Sequence, residues 1–230
     1  MSQDSQALLD AAQRMTAALK PADVDHTFVQ VTAVALEVLP QVHHASISVQ
    51  HPGGRLETSA PTSPLACDLD QAQYDFQEGP CYEVATAAFH VVSPDLATDE
   101  RFPRYAPAAV VSGIRSQVAL RLFDGKKAQA GLNLYSHDVG AFDDLGSLVT
   151  LFTSQAGLAI SYSYEIAHLR EALRTRTLIG QAVGMLMERY ALTEERAFAF
   201  LTRMSQHRNV KLRAVAEELI AASGRPQDPA

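Results

Sequence analysis

Between Arg203 and Arg213 the sequence crowds together groups that hold phosphates and read nucleobases: Arg203, Ser205, Gln206, His207, Arg208, Asn209, Lys211 and Arg213. Guanidinium forks and an ammonium bind anionic oxygens, while the amides and the hydroxyl offer donors and acceptors to base edges. Lys211 and Arg213 fall in the first turn of a predicted helix, where the helix dipole disfavours cations. A phosphate at that N-terminus would relieve the conflict, drawing on backbone N–H groups as well as both side chains. The plainer reading of the same cluster is a set of long basic side chains extending into water.

Catalytic chemistry finds less support. The sequence holds no glycine-rich phosphate loop, no HExxH, no GxSxG and no metal-spaced set of Cys and His. His43 and His44 precede a predicted strand, where neighbours point to opposite faces, so joint ligation of one metal ion is not expected. Asp143 and Asp144 read as a helix cap rather than an acid–base pair. Cys81 follows Gly79-Pro80 and begins a predicted helix, a setting that can activate a thiol; a small buried residue is the favoured reading.

These groups sit in a chain of 230 residues, 47% hydrophobic and 20% charged, the balance of one or two ordinary domains. No apolar run approaches the roughly 20 residues of a membrane span. Met1 to Ala7 lacks the order of a signal peptide, so the expected location is the cytoplasm, with Cys67 and Cys81 reduced. The net charge of −7 argues mildly against a nucleic-acid partner, but it is unevenly spread. Residues 1 to 167 carry 9 basic and 19 acidic side chains, and residues 168 to 230 carry 10 and 7. The two parts have opposite sign; the excess of three in the second supports a nucleic-acid partner, and a solvated helical surface could also produce it.

Residues 4 to 39 read as two helices broken at Pro21, the second with Val24, Phe28, Val31, Val34, Ala35 and Val38 on one face. Period-two alternation follows in Ala45-Ser46-Ile47-Ser48-Val49, and Pro52-Gly53-Gly54 turns the chain towards a strand at Arg55 to Ser59. An interrupted helical pattern from Asp68 to Phe89 leads to a strand at His90. Alternation returns from Gln117 to Leu122 and, past the Asp124-Gly125 turn, from Ala128 to Tyr135. From Asp143 no stop signal appears until about Tyr190. On a seven-residue repeat Phe152, Ala159, Ile166 and Leu173 share one position and Tyr162 and Leu169 the other, from a register that starts at Leu145. That repeat predicts a coiled-coil seam and a homodimer. Gly146, Gly157, Gly180 and Gly184 mark either close helix contacts or a break.

The last third predicts three helices. Arg174 to Tyr190 is apolar at Leu178, Ile179, Ala182, Val183, Leu186 and Met187. Thr193 caps a second helix near Glu194 with Ala197, Phe198, Leu201 and Met204 buried, and Asn209 can cap a third with Leu212, Val215, Ala216 and Leu219 inside. The tail from Ser223 is expected to be disordered.

Leu169 to Ile220 closely resembles an ANTAR domain, through Gln181 to Arg189, Glu195-Arg196-Ala197-Phe198 with Leu201, Met204-Ser205-Gln206 and Asn209 to Ala216. Val183 and Ala214 depart from the family, which often carries Lys and Asp there. Upstream, Glu78-Gly79-Pro80-Cys81, Val92-Ser93-Pro94-Asp95-Leu96 and Ala130 to Tyr135 look like a GAF domain. The resemblance implies an α+β fold: a GAF-type antiparallel sheet flanked by helices, joined by a long coiled-coil helix to a small all-α three-helix ANTAR domain. It divides the chain into an N-terminal helix (1–21), a sensor domain (22–143), a linking helix (144–168), an RNA-binding domain (169–222) and the tail (223–230). The implied function is transcription antitermination without enzymatic activity, by binding hairpins in a nascent leader RNA so that the terminator does not form. A DNA-binding helix-turn-helix regulator and a thiol reductase of methionine sulfoxide are the alternatives. GAF domains hold small molecules between sheet and helices, and Phe76, Cys81, Tyr82, Phe102, Tyr105, Asn133 and Tyr135 are the candidate pocket residues. No bilin-type cysteine motif or haem-ligand arrangement stands out, so the ligand and any cofactor are unassigned.

Overall fold

Alternation of period two decides how the sheet is built and what each of its faces meets. The computed structural model describes residues 3–20, 22–124, 129–143 and 146–223. The predicted break at Pro21, the Gly125 turn, the start of the following strand at Ala128, the Asp144 cap, the Leu145 position and the tail from Gly224 lie outside these residues.

Helices α1 (Gln3–Ala18) and α2 (Val24–Val38) precede strands β1 (His44–Gln50) and β2 (Leu56–Ser59). Then come α3 (Pro64–Phe76), α4 (Pro80–Thr86), β3 (His90–Ser93), α5 (Tyr105–Val111), β4 (Ser116–Asp124) and β5 (Gln129–Ser136). The strands form one antiparallel sheet in the order β2-β1-β5-β4-β3. Ala45, Ile47 and Val49 of β1 and Ala130, Leu132 and Leu134 of β5 enter a core built with α1, α2 and the first part of α6 (Gly146–Tyr190). The alternate residues, Ser46, Ser48, Asn133 and Tyr135, face the side covered by α3, α4 and α5. That face is buried and half polar.

Local signals place the helices. Asp23 caps α2 by accepting from the His26 amide, and Ser63 caps α3 by accepting from the Ala66 amide. The interruption expected near Gly79 is real: Gly79 takes φ +114°, which favours glycine, and Pro80 opens α4. At the outer edge of the sheet, Ser93 donates to Asp99 (2.6 Å), Asp99 holds Arg101 (2.6 Å), and Arg101 donates to the Val92 carbonyl (2.7 Å). Burial disfavours the Asp99 carboxylate, yet hydrogen bonds from Arg101 and Ser93 outweigh it and hold its pKa below the ordinary range.

Helix α6 runs unbroken past Gly157, Gly180 and Gly184. The seam expected on it needs correcting. Phe152 and Ala159 are buried in the sheet's own core beside Val149, Ala156 and Ile160, so they are not free to face a second chain. Tyr162, Leu169 and Leu173 are exposed, the last two at 57% and 64%. Met15 of α1 and Leu19 just after it also lie in that core, so the N-terminal helix packs with the sheet rather than standing as a separate element.

The chain forms two compact units, residues 1–165 and 166–230. In the second, the end of α6 packs with α7 (Glu194–Arg208) and α8 (Leu212–Ser223) around Ala182, Val183, Leu186, Ala197, Leu201, Val215 and Ala216. Thr193 caps α7 as expected. Asn209 does not cap α8. It ends α7 in the left-handed region (φ 50°), its amide bonded to the Gln206 and Ser205 carbonyls, as asparagine can. Phe198 and Met187, expected in the core, are exposed.

Candidate functional site

The α7–α8 turn carries the cluster singled out in the sequence, and the structure divides it. The Ser205 hydroxyl donates to the Val210 carbonyl (2.6 Å), so it fastens the turn instead of facing outwards. Arg208 forks onto Glu218 at 2.6 and 3.0 Å. Arg213, at the start of α8, pairs with Glu171 and with Glu217. The unfavourable cation at that helix start is thus already compensated by two carboxylates of the same unit, the role the sequence reading gave to a phosphate. Gln206, His207, Asn209, Arg203 and Lys211 remain exposed. Among the described residues Arg203 and Lys211 form no ion pair.

The polar face of the sheet gathers most of the other candidates around a residue the sequence did not flag, Asp70 of α3. Its carboxylate accepts from Tyr135, from Thr58 (2.9 Å) and from Asn133 (3.0 Å). Ser48 links Asn133 (2.8 Å), Tyr74 (2.6 Å) and the Cys81 sulfur (2.8 Å). Gln73 receives the Cys81 amide (2.9 Å) and the Gln117 amide group (3.3 Å), and Tyr105 donates to Gln117 (2.5 Å). Cys81, Asn133, Tyr135 and Tyr105 therefore belong to one network. Phe102 is buried in the apolar core beside it, Tyr82 is half-buried, and Phe76 lies under the Arg104 guanidinium at 4.5 Å.

Asp70 has no cationic partner among the described residues. Burial pushes its pKa up to about 6 against the hydrogen bonds that favour the charged form. The Asn133 side-chain oxygen, also buried, has no hydrogen-bond partner there.

Cys81 lacks the setting of an activated thiol. Cys81 does begin α4, but burial, and then the Asp70 charge, push its thiol well above the ordinary range; Cys67 is exposed, and both are free. The rings of His43 and His44 both approach His137, at 4.7 and 5.3 Å between centroids, because His43 precedes β1 and escapes its alternation. Among the described residues no group of His, Cys, Asp or Glu is arranged to hold a metal ion, and no helix is long and apolar enough to cross a membrane.

The sheet order with helices on both faces defines a GAF-like domain, and residues 167–220 match the ANTAR domain model, so the C-terminal unit carries an ANTAR domain. Over 134 residues the chain is 27% identical to the transcriptional regulatory protein PdtaR of Mycobacterium tuberculosis, a match that covers 58% of this chain and 63% of the relative's length. Among solved structures, free methionine-R-sulfoxide reductase of Neisseria meningitidis superposes with a TM-score of 0.51 at 15% identity, over 72% of this chain and 95% of its own. The N-acylhomoserine lactone dependent LuxR family factor CepR2 of Burkholderia cenocepacia superposes with 0.54 at 12% identity, over 69% of this chain and 98% of its own. At these identities the likeness is one of fold.

Proposed function

We propose that this chain is a cytoplasmic transcription antiterminator whose ANTAR domain binds hairpins in nascent leader RNA and keeps the terminator from forming, under the control of the GAF-like sensor. The observation that carries the reading is the ANTAR match at residues 167–220, over a three-helix unit with exposed cations on its α7–α8 turn. Hairpin loops suit that surface, since unstacked bases can be bonded at their edges while cations hold the backbone. Helix α6 supplies residues to both cores and is the proposed route of control. The protein has no catalytic step in this reading. Cys81 is buried with its proton tightly held, and Cys67 stands apart from the polar network.

A gel shift comparing hairpin RNA with duplex DNA tests the reading. RNA is expected to be retained in preference, and Lys211→Gln should weaken binding to related hairpins alike, flattening the salt dependence by roughly 0.7 to 0.9 log units for the lost phosphate contact. Preference for duplex DNA would replace antitermination with DNA-level regulation.

Homodimerisation is part of the proposal, and the exposed Leu169 and Leu173 of α6 are its proposed contact. Aspartate at both positions would put unpaired charges into such a contact, and sedimentation should shift to monomer. A dimer that survives the double change would move the contact to another surface.

A further inference from the structure

On the face of the sheet opposite the Asp70 network, a cavity of about 540 Å³ opens between the β3–β4 edge and α6. Its origin is local. β3 begins only at His90, opposite Leu120, while β4 runs on to Asp124 through the register shift at Leu122. Among the described residues, the end of β4 therefore has no strand on its outer side. Helix α6 comes down beside it at Gly157, and Thr150, Thr153, Ser154 and Ser161, which share that helix face, are short. A truncated strand beside a helix face of small side chains leaves room that the chain does not fill.

Leu120 and Val149 close the floor and are buried, whereas Leu158 and Phe89 stand at the mouth, 49% and 72% exposed. The volume lies within the roughly 300–1,000 Å³ of small-ligand sites, which pair apolar walls with a few polar groups. Here the polar groups narrow the ligand class. The hydroxyls of Thr150, Thr153 and Ser154 donate to the Gly146, Val149 and Thr150 carbonyls one turn back, at 3.1, 2.8 and 2.9 Å. Each has used its one hydrogen, so towards the cavity these oxygens only accept. Among the described residues no carboxylate lines the cavity. The Arg121 guanidinium is bonded to the Val84 carbonyl (2.7 Å) and paired with Asp124 (3.5 Å). An ionic ligand would bury its charge against the floor without a partner, at a heavy cost.

We propose that this cavity binds an uncharged, mainly apolar small molecule with an N–H or O–H donor, its apolar body on Leu120, Leu122 and Val149 and its donor on the Thr153 hydroxyl. The site is separate from the polar network around Asn133 and Cys81, and the inference holds whether or not the C-terminal unit binds RNA. An occupant would touch α6 beside Gly157, on the helix that also supplies the second core.

The test uses the full chain and phenyl-naphthylamine, an uncharged bicyclic arylamine with one N–H, whose fluorescence rises in apolar surroundings. Saturable binding of one probe per chain is expected. Ser154→Trp, at an exposed position of α6, should fill the cavity and weaken binding by about tenfold or more while the unfolding transition stays in place. Thr153→Val keeps the shape, removes the acceptor and should weaken binding about three- to tenfold, the scale of one hydrogen bond. Anilinonaphthalene sulfonate, the same skeleton carrying a negative charge, should bind more weakly than the neutral probe. No saturable binding to the wild type, or equal affinity in Ser154→Trp, would overturn the proposal. Should Ser154→Trp disturb folding, Thr153→Val decides, and unchanged affinity there overturns the assigned contact. Tighter binding of the sulfonate would overturn the uncharged class and point to His90 at the rim. A Ser154→Trp protein that lost self-association but kept the probe would show a contact between copies instead.

Discussion

Alanine at position 157 is expected to destabilise the N-terminal unit by about 1 to 3 kcal/mol, the usual cost of overpacking. A Cβ built on Gly157 of α6 would stand 2.5 Å from the Leu122 carbonyl oxygen of β4, and a backbone atom in a paired strand cannot swing aside as a side-chain tip can. Leu122 lies within the register shift between Arg121 and Phe123, where β4 departs from regular pairing. Gly180, in the same helix, is the control. Nothing lies within 4 Å of its Cβ position, so alanine there should stabilise by up to ~1 kcal/mol through helix propensity. Hydrogen exchange followed separately in residues 1–165 and 166–230 reads both effects. The two substitutions should have opposite signs, and a harmless Gly157→Ala would mean that α6 does not press on β4.

The second large effect is a pH dependence centred on Asp70. Its folded-state pKa is pushed up to about 6 from an ordinary 3.8, chiefly by burial, so the folded protein holds this proton more tightly than the unfolded chain does. The resulting stabilisation is complete below the unfolded pKa and is lost as pH rises through the folded one. At 1.36 kcal/mol per unit it amounts to roughly 3 kcal/mol. Asp70→Asn cannot ionise and should lack this change. Relative to the wild type, its N-terminal unit should gain roughly 2 kcal/mol of stability between pH 4.5 and pH 7.5, measured by denaturant unfolding. A difference between the two proteins that stays constant over this range would mean that Asp70 titrates as an exposed carboxylate does.

Asp70 also shows where sequence reasoning stopped. Alternation in Ala45–Val49 and Ala130–Tyr135 made the two sheet faces legible, and Thr193 announced the start of α7, because these signals are local. A carboxylate on an amphipathic helix reads as solvent-facing. Only the polar side chains of β2 and β5, brought across by pairing, give Asp70 its partners. The Arg213 pairing was hidden for the same reason, since Glu171 is 42 residues away. In α6 the seven-residue count found the helix and misassigned part of its surface. Phe152 and Leu173 occupy equivalent positions, but one meets the protein's own sheet and the other is exposed. Asn209 was ambiguous in a different way. Asparagine suits both a helix start and a left-handed helix end, and here the amide closing onto Ser205 and Gln206 selects the second.

The clamp of Ser93, Asp99 and Arg101 bears on how the folded protein behaves in a crowded solution. An outermost strand normally offers a row of unused carbonyls and amides onto which another chain can add, the first step of sheet-to-sheet aggregation. On β3 that template is short, four residues, and the Val92 carbonyl is already taken by the Arg101 guanidinium, which places a charge where an incoming strand would lie. On the opposite edge, beside β2, Arg55 and His51 both converge on Glu57, at 3.0 and 2.9 Å. Both margins of the sheet are thus guarded by charge. Because the Asp99 carboxyl is held below its usual range, the β3 guard is expected to persist into mild acid, under conditions in which Asp70 has taken up its proton.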